Sequence, residues 1–320
     1  MIVALSGGVG GAKLVSGLVG HLGEAAVVAV VNTGDDFDYL GLRICPDLDS
    51  VLYALAGLND EQRGWGRRDE TWRFQESLRQ LGADPWFQLG DSDLAVHVLR
   101  TDGLRRGLGL AEVTARLVQG LGLGVRLLPM SDDPVATVVA TPLGDLPFQD
   151  YFVRRRCEPV CLGVRFEGAA VAKEPAALAA LAREGSLSGI VICPSNPIVS
   201  IDPILGIGGI RRMLEERRCP AVAVSPIVRG AALKGPAAKM MSELGMEASA
   251  LGVARHYAGL VDGMVIDVRD AAEASAIRAL GLAVQVTDTI MVDDDARRRL
   301  AGAACDLLAS IGGVAGNVLR

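Results

Sequence analysis

The apolar run Ile2–Leu5 empties into Ser6-Gly7-Gly8-Val9-Gly10-Gly11-Ala12-Lys13, and a helical repeat follows through Leu14, Leu18 and Leu22. A strand that turns through glycines straight into a helix commits the chain to an α/β start. It also brings backbone N–H groups close to whatever sits at the turn, and a helix N-terminus favours an anion there. Neither common phosphate-loop pattern fits. A G-x-G-x-x-G fingerprint begun at Gly8 and Gly10 puts Lys13 where the third glycine belongs. The Walker pattern fails as well, because Lys13 is followed by Leu14 and not by a hydroxyl. A turn that only packs a helix on a sheet needs one or two glycines. Four glycines within five residues, with a lysine, favour phosphate binding by Gly7, Gly8, Gly10, Gly11 and Lys13, without saying which phosphate.

Apolar strand candidates recur at Ile2–Leu5, Val27–Val31, Val125–Leu128, Val135–Ala140, Phe148–Val153, Gly189–Cys193, Ala221–Ser225, Gly263–Val268 and Ala283–Val286. Helix candidates lie between many of them, at Ala12–His21, Pro175–Arg183, Pro203–Arg217, Pro236–Leu244 and Asp294–Leu308. Several open on a proline, whose missing donor costs nothing in a first turn. The alternation predicts a doubly wound, mostly parallel, Rossmann-like α/β sheet. Residues 49–124 break the rhythm, reading as helices without an obvious strand. The expected organisation is a nucleotide-binding core of residues 1–48 and 125–320 with a helical subdomain, 49–124, inserted after the second strand.

Half of the 320 residues are hydrophobic, 4% are aromatic and 39 are glycine, which suits helices packed closely on a sheet. The net charge of −6 offers no basic excess for a nucleic-acid surface, although a local cluster still suffices for a small anion. Runs such as Ala25–Val31 are too short to cross a bilayer, so no membrane partner is expected. The start of the chain lacks the marks of a signal peptide, and a cytoplasmic protein is the expectation. Six scattered cysteines without a C-x-x-C read as free thiols, several of them buried.

The second strand ends in VVNTGDDFDYLGLRICPDLDS. A dinucleotide-binding unit usually places one acid here, for a ribose. This chain has Asp35, Asp36 and Asp38, then Asp47 and Asp49. Carboxylates converging at a strand end repel one another unless a cation lies between them, and oxygen ligands suit Mg²⁺. The bland reading is solvated loop acids, with Asp49 as a helix cap. QLGDSDLAVH adds Asp91, Asp93 and His97, and Asp91 doubles as a candidate cap. LLPMSDDPV repeats a double acid at Asp132 and Asp133, equally readable as a turn. VICPSNPIVSIDP ends a strand in Ser195-Asn196, a polar pair suited to a base edge or a ribose. Arg229, Lys234 and Lys239 form a second candidate anion site. Arg154–Arg156 read as a solvated edge.

The segments SGGVGGAK, VVNTGDD, PDLDSVLYALAG, RGWGRRDETW, LGDSDLAVH, LLPMSDDPV, PSNPIVSIDPIL, AVSPIV, GPAAKM and GVARHY run in order from residue 1 to past residue 250. Together they resemble the 2-phospho-L-lactate transferases that build the deazaflavin coenzyme F-420. The resemblance implies a doubly wound core with a helical insertion, commonly dimeric. It implies transfer of a lactyl, enolpyruvyl or glyceryl phosphate unit from its guanosine diphosphate ester to the ribityl hydroxyl of the deazaflavin Fo (7,8-didemethyl-8-hydroxy-5-deazariboflavin), releasing GMP with Mg²⁺ present. On that basis Asp36 and Asp49 are the expected metal ligands, with Asp35 and Asp47 as alternatives. Asp49 and Lys13 are the expected catalytic residues, and the glycine loop with Lys13 holds the phosphates. Ser195 and Asn196 take the guanosine, while Asp49, Trp65 and Asp91 face the deazaflavin. Ser92 stands where relatives frequently carry arginine, which removes an arginine contact from that position. A reading of another class is a non-catalytic nucleotide-binding regulator related to the gluconeogenesis-factor proteins, which share a glycine-rich loop and an N-x-x-D second strand. PDLD, RGWG and PMSDDPV favour the transferase. An NAD-dependent oxidoreductase fits poorly, lacking the third glycine and crowding acids where one is expected.

Overall fold

The computed structural model describes residues 1–232 and 235–313. Among them, seven strands form one parallel sheet: β1 (Ile2–Ser6), β2 (Val27–Val31), β3 (Arg126–Pro129), β4 (Gly189–Ile192), β5 (Ala221–Val224), β6 (Gly263–Asp267) and β7 (Ala283–Thr287). Across the sheet the order is β3-β2-β1-β4-β5-β6-β7. Leu5 of β1 pairs with Val30 of β2 on one side and Ile192 of β4 on the other. The chain therefore winds outward in both directions from β1. The carboxyl ends of β1 and β4 bound the switch point where ligands of such sheets bind.

Helices cover both faces, so the inner strands have no polar side. Val3 and Leu5 of β1 enter one core with Val28 and Val30. Ile2 and Ala4 enter the other, against Leu14 and Leu18 of helix α1 (Gly8–Leu22). This two-sided burial is why the strands read as continuous apolar runs. Helix α2 (Pro46–Leu55) packs beside α1 and starts on Pro46, with Asp47 and Asp49 in its first turn. Then come α3 (Arg73–Gln80), α4 (Asp91–Arg105) and α5 (Leu110–Gly120), which leads into β3. The last helix, α6 (Asp294–Gly313), crosses α1 so closely that a Cβ on Gly17 would lie 2.3 Å from the Arg297 carbonyl oxygen.

Some local expectations change. Ala136–Thr141 is a strand, but it joins a separate antiparallel sheet with Gly144–Pro147 and Gly163–Glu167. Phe148–Val153 is not a strand: Asp150–Arg154 forms a π-helical turn closed by the Arg155 N–H donating to the Asp150 carbonyl. There Phe148 stacks on Phe152 at 5.4 Å, a contact between residues four apart that a helical turn supplies and an extended strand does not. The helix expected over Pro203–Arg217 divides into Asp202–Leu205 and Gly208–Glu215 around Gly206-Ile207. A hairpin, Phe37–Tyr39 with Leu42–Ile44, interrupts the path from β2 to α2. All six cysteines are free thiols, with Cys45, Cys161 and Cys193 buried. Among the described residues no helix is long and apolar enough to cross a membrane.

Candidate functional site

The glycine turn lies against the end of β4. The Gly7 N–H donates to Ser195 Oγ (3.0 Å), and that hydroxyl donates back to the Gly7 carbonyl oxygen (2.7 Å). Ser195 is thereby committed to tying the two switch-point loops together. Each glycine has a distinct physical reason. A Cβ on Gly10 would lie 2.4 Å from the Pro194 carbonyl oxygen, and one on Gly11 would meet the hydroxyls of Ser6 and Ser195. Those two let α1 dock on the sheet. A Cβ on Gly7 would lie 2.5 Å from Asp47 Oδ2, and Gly8 adopts φ +63°. The loop's near neighbour is thus a carboxylate of the chain itself, Asp47. The first-turn N–H groups of α1 have no intrahelical acceptor, so the loop retains the polarity that suits an anion. Lys13, one turn further on, donates to the Met291 carbonyl oxygen (2.8 Å).

Behind this loop is a buried acidic cluster organised by Asn32, the last residue before the turn out of β2. Its Nδ2 donates to Asp35 Oδ1 (3.0 Å) and Asp47 Oδ2 (2.9 Å), and its Oδ1 accepts from the Gly34 N–H. Gln149, from the antiparallel layer, donates to Asp35 Oδ2 (3.2 Å). Asp36 lies in the same turn with both carboxylate oxygens buried and without a well-formed hydrogen bond. Burial pushes its carboxyl up to about 7, although the Cys45 thiol, Arg43 and Arg100 oppose that rise. Burial likewise raises Asp47 to about 6 against hydrogen bonds from Asn32 and Gly8. Asp35 is raised by burial and then by its acidic neighbours Asp47 and Asp36. At all three carboxyls burial outweighs the hydrogen bonds and positive charges that oppose it.

Asp49 differs from the other three. Both its oxygens accept from Arg100 of α4: Nη1 reaches Oδ2 at 3.0 Å and Nη2 reaches Oδ1. His97 Nδ1 stands 3.6 Å from Asp49 Oδ2. On the nucleotide side, Asn196 caps its own turn by accepting from the Ile198 N–H (3.0 Å), while its Nδ2 is buried without a partner. Asn196 thus carries an uncommitted donor at the switch point, whereas its neighbour Ser195 is engaged.

The two insertion residues expected to face the deazaflavin have separate surroundings. Trp65 is 42% exposed and meets Trp72 edge-on, with Arg63 over both rings. Asp91 accepts from the Thr71 hydroxyl and from the N–H groups of Arg73 and Phe74, and so caps α3. Thr71 and these amides hold its carboxyl below the usual range. A second aromatic group, Phe37, Tyr39, Trp86 and Phe87, forms beside the acidic turn with centroids 4.9–6.2 Å apart. Its members come from segments about 50 residues apart, and no sequence pattern joins them. Lys239 donates to Tyr151, to the Pro159 carbonyl oxygen and to Glu243, so its charge is already paired with a carboxylate of the chain, and the backbone N–H of Arg229 is held by Asp270. The third member of that candidate anion site, Lys234, lies outside the described residues. Asn32, Arg100, Tyr53 and Gln149 were missed by sequence reasoning. For Arg100 a signal exists, because Asp93, His97 and Arg100 stand at i, i+4 and i+7 on one helix face.

Comparisons agree with this architecture. The 2-phospho-L-lactate transferase CofD family matches residues 2–304. A phosphoenolpyruvate transferase of Streptomyces griseus is 42% identical over 313 residues, 96% of this chain and 98% of that protein. A 2-phospho-L-lactate transferase of Methanosarcina mazei is 39% identical over 301 residues, 94% and 98% of the two chains. Among solved structures, a UPF0052-family protein of Bacillus halodurans superposes with a TM-score of 0.60 at 15% identity, covering 95% of this chain and 98% of that one. That likeness is one of fold alone. The match to the transferases is of another order, averaging about two residues in five over almost the whole chain, and this chain belongs to the 2-phospho-L-lactate transferase family.

Proposed function

We propose that the protein transfers a 2-phospholactate-type unit, carrying lactate, enolpyruvate or glycerate, from its guanosine diphosphate ester to the ribityl hydroxyl of the deazaflavin Fo, releasing GMP, in coenzyme F-420 biosynthesis. The observation that carries this reading is the buried acidic cluster against the glycine turn, in which both oxygens of Asp36 lack hydrogen-bond partners. An unpaired buried carboxylate is expensive, and a hard divalent cation is the partner that oxygen ligands of this kind fit. Asp36 and Asp49 would hold Mg²⁺, with Asp35 and Asp47 beside them. The ion, when bound, would offset charge on the diphosphate oxygens.

In the proposed reaction the ribityl oxygen bonds to the phosphorus that bears the small acid. The bond from that phosphorus to the oxygen bridging to GMP breaks, and GMP departs with the electron pair. The hydroxyl proton leaves as the phosphodiester forms, with Asp49 the candidate to accept it. The α1 turn and Lys13 are assigned to the phosphates, where amide donors act without reorganising. Asn196 Nδ2 is assigned to the guanosine. Trp65 and Asp91, on the insertion, are assigned to the deazaflavin side. A homodimer and a cytoplasmic setting belong to the same proposal. The regulator reading rests on the glycine-rich turn and the N-x-x-D second strand, which the transferase reading also uses.

The test mixes protein, Fo and Mg²⁺ with the lactyl, enolpyruvyl and glyceryl esters in separate tubes and follows GMP and the Fo phosphodiester by mass spectrometry. Product in one tube, abolished by a chelator, is the expected result and names the acid. No product in any tube, with Fo unbound, overturns the proposal in favour of a nucleotide-binding regulator.

A further inference from the structure

LGDSDLAVH contributes buried His97 and partly buried Asp93, two residues that the proposed reaction does not use. Arg100 follows on the same face of α4. It is 1% exposed, and its guanidinium donates to both oxygens of Asp49. The same Nη1 lies 3.3 Å from His97 Nδ1. As arginine has only donors to offer, Nδ1 must be the acceptor and the ring proton must sit on Nε2. His97 Nε2 faces Asp93 Oδ2 at 3.2 Å, off the direction of a well-formed hydrogen bond. Tyr53 of α2 donates its hydroxyl to Asp93 Oδ1. The chain of contacts therefore starts on α2 at Tyr53, crosses α4 through Asp93, His97 and Arg100, and returns to α2 at Asp49.

We infer that Arg100 is a positioning residue for Asp49, and that His97, Asp93 and Tyr53 fix Arg100 in turn, so that this closed network sets where the Asp49 carboxylate stands in the reaction. Ligand atoms of Asp49, Asp93 and His97 lie within 4.8 Å of one another, a spacing that would also suit a metal. The guanidinium already fills the cation's part, with two bonds to Asp49, a contact to His97 and another to the Arg43 carbonyl oxygen. Arginine is the side chain that does this, because its planar fork matches a carboxylate and keeps its charge when buried. The spacing of the network also has a purpose. Asp49 opens α2 and Tyr53 lies one turn on, so α4 grips α2 at two points and blocks rotation of the turn that carries Asp49.

The inference rests on the transferase reading, and its test separates the two. His97→Leu removes the imidazole acceptor from Arg100 and leaves its Nη1 with Asp49 and the Arg43 carbonyl oxygen at 3.4 Å. His97→Gln retains an acceptor, since an amide oxygen can face Arg100 while its nitrogen faces Asp93. Tyr53→Phe deletes only the hydroxyl at the far end, and a buried phenyl keeps the packing. Expected are a kcat lowered about 10- to 100-fold in His97→Leu, recovery to within about threefold in His97→Gln, and an intermediate loss in Tyr53→Phe. The KM for the guanosine ester should stay within about twofold of wild type, and the thermal midpoints of His97→Leu and His97→Gln should match. Folded His97→Leu with wild-type kcat overturns the network. So does a Leu variant and a Gln variant that lose rate equally. Titration of the wild type with Zn²⁺ alone, showing a tight site absent from His97→Leu, would replace the guanidinium by a metal and overturn it too. A wild-type chain without turnover on any ester would end the transferase reading, and the network's catalytic purpose with it.

Discussion

At the scale of single residues, the site is defined by how differently its acids are satisfied. Asp35 and Asp47 share Asn32, Asp49 has Arg100, and Asp36 has no well-formed hydrogen bond. The cost of that arrangement depends on pH. A carboxyl raised from 3.8 to about 7 by burial favours the protonated folded state, so its contribution is fully present below pH 4 and lost as pH rises through 7. Asp47, raised to about 6, acts in the same direction over a narrower window. The sum is on the order of several kcal/mol. Without Mg²⁺, the thermal midpoint should therefore fall between pH 5 and pH 8. Because the cation and protons compete for the same oxygens, added Mg²⁺ should raise the midpoint more at pH 8 than at pH 5. Asp36→Asn should flatten the pH dependence and raise the metal-free midpoint at pH 8. It should also abolish the Mg²⁺ response and lower turnover at least about 100-fold. Calorimetry across pH with and without Mg²⁺ checks the first three, and a midpoint in Asp36→Asn that still climbs with Mg²⁺ would take Asp36 out of the ligand set. Sequence shows that acids crowd this turn, since they stand side by side in VVNTGDD and PDLD. It does not show that Asn32 joins them, because that contact bridges residues 15 apart and reaches the Val199 carbonyl 167 positions away.

At the scale of elements, the strand–glycine–helix start was legible because period and punctuation agree: β1 is apolar throughout and α1 repeats its apolar residues. Phe148–Val153 was misread for the complementary reason. A short apolar run looks alike as strand or helix, and the Phe148–Phe152 stack that decides the matter is a packing event. The glycines invite a sharper test. Gly10 and Gly11 are needed for the docking of α1 on β4, whereas Gly8 is needed for its backbone conformation. Gly10→Ala drives a methyl into the Pro194 carbonyl oxygen, a backbone atom that cannot swing away. It should cost about 2–3 kcal/mol, near the upper end for overpacking. Gly8→Ala has room for its methyl, with Asp47 Oδ1 at 3.6 Å, and incurs only the left-handed strain of about 1–2 kcal/mol. Urea unfolding should rank Gly10→Ala below Gly8→Ala. The reverse order would mean that the turn, and not its seat on β4, limits stability. Affinity for the guanosine ester should fall in both, because each change moves the amides of the α1 turn.

At the scale of the whole molecule, the segment between α2 and α3 is tied to the last helix by side chains as well as by the chain itself. Between α1, α2 and α6 lies a cleft of about 390 Å³, lined by Gly17, Gly20, Ala54, Asn59, Arg68 and Arg297 among others. Glu61 spans it from the segment that carries Trp65, bonding to the Nη2 group of Arg297, whose Nη1 donates to Asp294. Arg297 is 3% exposed and Glu61 lies at the surface, so the pair is a strap fixed firmly at one end only. Half-exposed ion pairs contribute little to global stability, and Glu61→Gln should lower it by no more than about 1 kcal/mol. Its local effect should be larger. The segment from Leu58 to Trp72 has few buried apolar side chains of its own, and residues 61–65 include four exposed ones. Its order therefore depends on such ties, and segments of this kind open independently of the core. Amide exchange in that segment should accelerate about fivefold in Glu61→Gln while the strands of the main sheet keep their protection. High salt should have the same effect on the wild type, since the exposed end of the strap is open to screening. If Trp65 covers the deazaflavin, Fo should bind more weakly to Glu61→Gln while affinity for the guanosine ester holds. An unchanged exchange pattern would mean that the aromatic pair Trp65–Trp72 and its arginine secure the segment without the strap. Exchange that spread into β1 and β2 would mean that this segment and the sheet open as one unit, and the cleft would then mark no boundary between them.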